Sequence, residues 1–538
     1  MPERTWLQRA AIPSLFAALT AIMTWPQPVV LATQAADHHD VLFNLWRLRW
    51  IAHALATAPA RLFDGNIFHP EPLALTLSDA ILVQGVLGAP LFWLGLPPVL
   101  VHNLLLLGAI VASATGIFVL ARHLTGSTAG AIAAGVVFAF APYRVEHYMH
   151  MELQWAVWLP WAFWALQRTI DTASIRFGLL TGLFVALQVL SSIYYGVFLA
   201  LILPVVALLQ LLPRPWPQSL AILKSLTLGA VLAAALAGIY AVPYSRTSAR
   251  VDERTTVEVT RYSAKPKDYL IATAGNLLYA DRGDGLPERR LFPGFVAPLL
   301  ALVGLLLVVP RPAIVAYVVG GVVAFEISLG MYGQIYPFLY ERFGIFQSLR
   351  APARASIFCL LVLGVLAAHG TAALVSSAGE RLKTALGGAL IAAMLLEYWV
   401  APIALVPVHN RPPALYAWLA GQPRGVVAEF PMAPSSNLPG PDPVYAYMST
   451  FHWQPLLNGY SGYYPRPHLQ RLDVLTRFPD PRAIARLREY DVRYVVVHPA
   501  RYDGALGQQA LEGAVAAGLR RVAEFDDGHG RAVVFQIR

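Results

Sequence analysis

The sequence predicts a polytopic α-helical membrane protein that carries a soluble α/β domain at its C-terminal end. Three observations carry that prediction. Hydrophobic residues make up 57% of the 538 and charged residues only 13%, where soluble domains are about a quarter charged. Mean hydropathy is +0.54 over the whole length, more apolar surface than one water-covered core can hide. The stretch 406–538 then drops the long apolar runs for short β-like and amphipathic segments. The same figures exclude a disordered chain, a collagen-like repeat and a disulfide scaffold.

A span needs roughly 20 apolar residues. The basic segment MPERTWLQR precedes an apolar run from Ala10 to Leu31 that is long and lacks a convincing cleavage site, so it reads as a signal anchor. Further apolar runs lie at 99–121, 128–142, 153–168, 177–192, 194–212, 222–241, 296–310, 313–330, 356–375 and 384–405. That gives about 11 transmembrane helices. Arg4, Arg9, Arg122, Arg168, Arg176, Arg214, Lys224, Arg311, Arg381 and Lys383 then fall in short loops on one side. By the positive-inside rule that side is the cytoplasm, with the N-terminus inside and the C-terminus outside. The apolar segment 80–96 is read as an interfacial or re-entrant helix on the outer leaflet, because a full span would invert every later loop.

The expected organisation is a transmembrane domain over 1–405, with outer loops 32–79 and 243–295, and an extracytoplasmic α/β domain over 406–538. In that last domain GVVAEF, VRYVVVH and RAVVFQIR read as strands, with helices near 481–490 and 506–520. Net charge is +9 and the isoelectric point about 9.6. Membrane orientation and contact with anionic lipids account for that excess, so membrane lipids are the expected partners and no nucleic acid is. Cys359 is the only cysteine, which excludes an intrachain disulfide and argues against a catalytic thiol.

Four constellations can carry chemistry. The densest is DHHDVLFNLWRLRWIAHAL, where Asp37, His38, His39 and Asp40 precede a helical pattern of Leu42, Leu45, Trp46, Arg49 and Trp50. Trp and Arg suit a helix in the headgroup layer, which would hold carboxylates and imidazoles at the water boundary. Such carboxylates serve as a general base, and His38 and His39 with the acids are candidates for a divalent cation. The plain alternative makes Asp40 a helix N-cap and the histidines solvated bystanders.

APYRVEHYMHMELQW places Arg144, Glu146, His147, His150 and Glu152 within nine residues, a high polar density for a short loop at a membrane. It reads as a second half-site or as ordinary headgroup contact. QSLRAPARA holds Arg350 and Arg354, four apart, which either clamp a phosphate with bidentate hydrogen bonds or snorkel to bulk lipid. LNGYSGYYPRPHL, with Tyr460, Tyr463 and Tyr464, is an aromatic loop that either meets a sugar or packs between domain and membrane. There is no P-loop, GxGxxG, HExxH, CxxC or GxSxG, and only Glu326 and Glu397 sit as isolated acids in apolar runs.

The motifs DVLFNLWRLRW (Asp40 to Trp50), LFDGNIFHPEPLALTLSD (Leu62 to Asp79), APYRVEHYMHMELQW and LNGYSGYYP together resemble bacterial members of the GT-C superfamily of integral membrane glycosyltransferases. The resemblance implies an inverting glycosyltransferase that takes a sugar from a polyprenyl-phosphate carrier. The acceptor would be a glycan, lipid or protein on the outer face of the bacterial cytoplasmic (inner) membrane, in assembly of the cell envelope. It implies an acid of the first outer loop as catalytic base, matched here by Asp40 with Asp37 as alternate, and a second acidic site nearest Glu146. Arg144, His147, His150, Arg350 and Arg354 would then bind substrate, and dependence on a divalent cation is left open. The rival readings are a transporter or flippase of lipid-linked glycans, which needs no base, and a non-catalytic envelope assembly factor.

Overall fold

The computed structural model describes residues 6–280, 285–307, 311–526 and 530–537, with the backbone alone for 6–9 and 380. Arg4 of the orientation argument, the side chain of Arg9, the end of the 296–310 run and part of the 243–295 loop lie outside the described residues. The chain is mostly helical and divides into two compact units that do not follow chain order. The first comprises Met1–Val30, Leu104–Tyr240 and Glu253–Ala404; the second comprises Leu31–Asn103, Ala241–Asp252 and Leu405–Arg538.

Each predicted apolar run contains a helix. Those of the first unit include Trp6–Met23, Thr128–Phe140, Trp158–Thr172, Ile175–Ser191, Ile193–Leu211, Val296–Leu307, Pro312–Ser328, Ser356–Ser377 and Glu380–Glu397. Among the described residues five helical stretches are long and apolar enough to cross a membrane: Pro98–Thr125, Thr128–Glu146, Ile193–Leu211, Trp216–Ser248 and Pro352–Ser377. Shorter apolar helices follow at Ala10–Met23, Ile175–Ser191, Val296–Leu307 and Pro312–Ser328. The first helix stops at Met23, earlier than the apolar run, because Pro26 and Pro28 follow and the chain turns there.

Small residues let these helices meet. A Cβ at Gly370 would collide with the Leu300 carbonyl, so the Val296–Leu307 and Ser356–Ser377 helices approach at backbone distance. Both isolated acids are spent on backbone amides. Glu397 accepts from Phe295 N at 2.6 Å and Val296 N at 3.0 Å, capping a helix start, and Glu326 accepts from Gln334 N at 2.9 Å.

The second unit holds the strands. β1 (Gln34–Ala36) pairs antiparallel with β2 (Leu405–Pro407), Ala35 opposite Val406. β3 (Val426–Phe430), β4 (Val492–Val497), β5 (Arg520–Asp526) and β6 (Arg531–Gln536) form one sheet in the order β3-β4-β6-β5. β3 and β4 run parallel and the other pairs antiparallel. A parallel pair needs a long crossover, and the helix Pro481–Glu489 lies in it. The helix Leu506–Ala516 follows β4. Phe430, Val495, Val497, Leu487, Leu511 and Phe535 fill the core beneath that sheet. The segment 80–96 forms a twelve-residue apolar helix, Leu82–Trp93.

The helix His39–Thr57, expected in the headgroup layer, is covered by protein along its apolar face. Val41, Phe43, Leu45, Trp46, Arg47, Leu48 and Ile51 are all buried, and it packs on the Leu82–Trp93 helix and on Asp442–Ser449 of the same unit. Trp46 Nε1 donates to Asn66 Oδ1 at 2.9 Å. A 3.6-residue apolar period reads the same whether the face is covered by lipid or by protein.

Candidate functional site

Two clusters of charged and aromatic side chains stand out, one in each unit. The first cluster grows from the turn after the Thr128–Phe140 helix. Arg144, buried there, donates from Nη1 to Leu153 O at 3.0 Å and from Nη2 to Gln154 O at 2.8 Å. Gln154 Nε2 returns bonds to Arg144 O at 2.7 Å and His147 O at 2.9 Å. These bonds staple residues 144–154 into one rigid turn and occupy both terminal nitrogens of the guanidinium that the sequence marked for substrate.

The staple aims the acids and histidines of the turn at residues of the 285–295 segment. Glu146 Oε1 accepts from Arg290 Nη1 at 2.9 Å. Buried His147 sits with Nε2 3.8 Å from Glu288 Oε2, and its ring lies 5.5 Å from that of His150. Arg354 grips Glu288 with a two-pronged contact, Nε to Oε2 at 3.1 Å and Nη2 to Oε1, while its guanidinium lies 4.6 Å over the Tyr194 ring. Glu152 is buried in the same turn.

Electrostatics set the protonation states. Burial alone would raise the Glu288 carboxyl, but the Arg354 guanidinium and then His147 outweigh it and hold the acid well below its usual range. Burial pushes the His147 imidazole down to about 3, against the opposing pull of Glu288, so it is neutral at pH 7. Of the two arginines read as a phosphate clamp, Arg354 already has a carboxylate in its fork. Arg350 has no ion pair among the described residues; its guanidinium rests 5.5 Å over Tyr262 and its backbone amide donates to the Tyr194 hydroxyl at 2.9 Å. Arg350 is close enough to Arg354 and Glu288 to feel both charges.

The second cluster opens the His39–Thr57 helix. His38 is the N-cap: its Nδ1 accepts from Asp40 N at 3.1 Å. Asp40 is therefore not the cap. Asp40 Oδ1 accepts from the Tyr460 hydroxyl at 2.6 Å, and Oδ2 lies 3.7 Å from His38 Nδ1. Asp37 and His39 point outward, exposed. Asp37 makes no hydrogen bond or ion pair among the described residues, which separates it from Asp40.

Tyr460 comes from the aromatic loop, and a chain of buried polar groups holds that loop in place. Asn458 Oδ1 accepts from Glu429 N in β3 at 2.8 Å, and its Nδ2 donates to Glu429 O at 2.9 Å and Asp442 Oδ1 at 3.0 Å. Glu429 Oε2 in turn meets His498 Nε2 at 2.8 Å and the Tyr416 hydroxyl at 2.9 Å. The next residue must be glycine, because a Cβ at Gly459 would enter the Phe68 ring. Phe68 N donates to Asn458 O at 2.8 Å and Tyr463 N to Leu77 O at 2.9 Å, which ties the loop to the LFDGNIFHPEPLALTLSD segment. The ring of Tyr460 also meets Phe43 edge-on at 5.3 Å. The loop thus packs against protein and presents one phenol to one carboxylate.

A divalent cation does not fit what is here. Among the described residues no group of three or more His, Cys, Asp or Glu side chains converges to hold one. His38 and His39 have ring centroids 6.0 Å apart, and the Nδ1 of His38 is committed to the helix cap.

Sequence reasoning did not find Glu288, Arg290 or the Asp40–Tyr460 contact. The first two lie in a loop whose many charges give no hint of which are buried, and 420 positions separate the partners of the last.

No family model matches the sequence, and no curated protein matches it. Solved structures do. Arabinofuranosyltransferase AftD from Mycobacteria superposes over 99% of this chain and 40% of its own, with a TM-score of 0.65 at 16% identity. The archaeal oligosaccharyltransferase AglB from Archaeoglobus fulgidus, solved with an inhibitory peptide and a dolichol-phosphate, superposes over 91% of this chain and 70% of its own. Its TM-score is 0.51 at 12% identity. The chain thus spans two fifths of the length of AftD. The fold is the GT-C membrane glycosyltransferase fold that the sequence motifs resemble.

Proposed function

We propose that this chain is a glycosyltransferase of the bacterial cytoplasmic membrane, with about 11 spans, its N-terminus inside and residues 406–538 outside. It moves a sugar from a polyprenyl-phosphate carrier to a glycan, lipid or protein acceptor on the outer face. The observation that carries this reading is the half-buried Asp40 carboxylate, held at the start of its helix by the Tyr460 hydroxyl, in a chain with this fold. The dolichol-phosphate bound to AglB supports a lipid phosphate as the carrier.

The chemistry asks for little covalent work. Asp40 Oδ2 takes the proton of an acceptor hydroxyl as that oxygen bonds to the anomeric carbon. The bond from that carbon to the phosphate oxygen breaks on the far side, its electron pair leaves with the phosphate, and the centre inverts. The leaving group is a stable phosphate anion, so positioning and charge compensation do most of the rest. Arg350, which has no carboxylate partner among the described residues, is the better cation for that phosphate; Arg354 assists only if Glu288 yields. His150, partly exposed in the same charged turn, offers a ring nitrogen to a sugar hydroxyl, and buried His147 stands behind it. Arg144 holds the turn.

The test is sugar transfer from a polyprenyl-phosphate donor by the full chain in proteoliposomes. Asp40→Asn is expected to lower the rate by about a hundredfold or more, the worth of a general base. Asp37→Asn is expected to stay near the parent rate. Activity in Asp40→Asn within tenfold of the parent overturns the assignment and favours a flippase, which needs no base.

A further inference from the structure

The second unit carries a cavity of about 590 Å³ that the transfer chemistry does not use. Its titratable lining is basic: Arg49, His53 and Arg411 face it beside the neutral Asn410, and among the described residues no acid does. Arg49 lies with its guanidinium 4.5 Å over the Phe451 ring and 5.7 Å from the centre of Trp453. Its Nη1 is buried without a hydrogen-bond partner, and it makes no ion pair among the described residues. Arg411 stands exposed at the mouth, also without an ion pair. His53 stacks flat on Trp453, centroids 4.0 Å apart and planes 13° apart. Trp453 has a φ of +55°, a left-handed backbone that is strained for a bulky side chain and persists only where its surroundings enforce it. The stack is therefore a built wall.

A buried guanidinium nitrogen with no acceptor costs free energy until an acceptor arrives. An anion suits this hollow, since Arg49 and Arg411 bring two guanidiniums to it and no acid among the described residues lines it. The floor of the cavity tells what brings it. Trp93, Leu96, Pro97 and Pro98 line it, and Pro98 opens the most apolar candidate span, Pro98–Thr125. On the short apolar helix before it, Val86 and Leu87 are about half exposed and Leu94 is 76% exposed. Tryptophan and exposed aliphatic side chains at the end of a span mark the level of lipid headgroups.

We propose that this cavity binds the phosphodiester of an anionic membrane lipid, with Arg49 and Arg411 as its paired guanidiniums and the acyl chains lying along Val86, Leu87 and Leu94. Planar guanidiniums bind phosphate oxygens in pairs and are desolvated more easily than ammonium groups, which suits a ligand at the edge of a membrane. The site is separate from the carrier-phosphate reading of Arg350 and stands or falls without it.

Native mass spectrometry of the full chain in detergent, titrated with phosphatidylglycerol, tests the proposal. Retention of phosphatidylglycerol over phosphatidylcholine is expected to be at least about tenfold, with Arg49→Gln and Arg411→Gln each cutting it about tenfold. Arg411 is exposed, so its variant keeps the test valid should Arg49→Gln fail to fold. Arg482→Gln, which removes an exposed charge elsewhere, is expected to change nothing. Equal retention in the Arg411→Gln variant overturns the site, as does displacement by inorganic phosphate or glycerol phosphate at the concentrations at which the lipid binds, since that would make the ligand a soluble phosphate.

Discussion

The two charged clusters use the same side chains to opposite ends. In the first unit carboxylates meet guanidiniums: Glu288 lies in the fork of Arg354, and Glu146 meets Arg290. In the second, Asp40 takes the neutral hydroxyl of Tyr460. A carboxylate locked to an arginine is neutralised and held, whereas one that accepts from a phenol is oriented without being neutralised by it. The same contrast separates the two arginines read as a clamp, since Arg354 has its counter-ion and Arg350 makes no ion pair among the described residues. The Glu288–Arg354 pair therefore reads as architecture, while the proposed roles rest on Asp40, oriented by a phenol, and on Arg350, which no carboxylate grips among the described residues.

The comparison breaks most readily at Glu288. Removing it leaves Arg354 buried and unpaired, which typically costs about 3–5 kcal/mol. Glu288→Ala should lower the thermal unfolding midpoint in detergent strongly, and Glu288→Ala with Arg354→Met should recover most of the loss, since an apolar pair needs no charge compensation. If the single variant melts like the parent, the pair is not structural. Tyr460→Phe probes the other side with a smaller effect. It keeps the ring against Phe43 and removes one hydrogen bond to a charged group, worth about 1.5–3 kcal/mol. The turnover rate should fall about tenfold or more while KM for the donor stays unchanged, because Tyr460 positions the base and does not bind the carrier. A KM change with turnover intact would make Tyr460 a sugar contact instead.

Much of the fold was legible because it is written in periods. Every apolar run read as a span contains a helix, and the three runs read as strands became β3, β4 and β6. β5 was missed because Arg520–Asp526 is a sheet edge with exposed charges on both faces, which blurs a period of two. The site was legible only where it is local. Asp40 and the 144–154 turn announce themselves by density, and even the Arg144–Gln154 staple joins residues ten apart. Glu288, Arg290 and Tyr460 become partners through topology, and no spacing in a single sequence encodes which of many loop charges the fold will bury. Cavity walls share that blindness: the helix period marks Arg49 as a headgroup residue, but not Phe451 and Trp453, which hold its guanidinium in place.

The smallest expected effect concerns His147, which burial holds neutral although Glu288 lies 3.8 Å away. Its folded value is depressed to about 3 from an ordinary value of about 6.5. Above pH 6.5 neither folded nor unfolded chain binds that proton, and the stability is whole. As pH falls from 6.5 towards 3, the unfolded chain takes a proton that the folded chain refuses, so stability drops by up to about 1.4 kcal/mol per pH unit. His147→Asn should remove that share of the slope in unfolding midpoints measured between pH 7.5 and 4.5. The slope that remains belongs to the other groups whose proton binding differs between folded and unfolded chain, among them His452 and His468, which burial likewise pushes down to about 3. An unchanged slope would mean that His147 accepts the proton within the fold and shares Glu288 with Arg354. The first cluster would then carry a titrating group after all, and the division between a structural cluster and a chemical one would have to be redrawn.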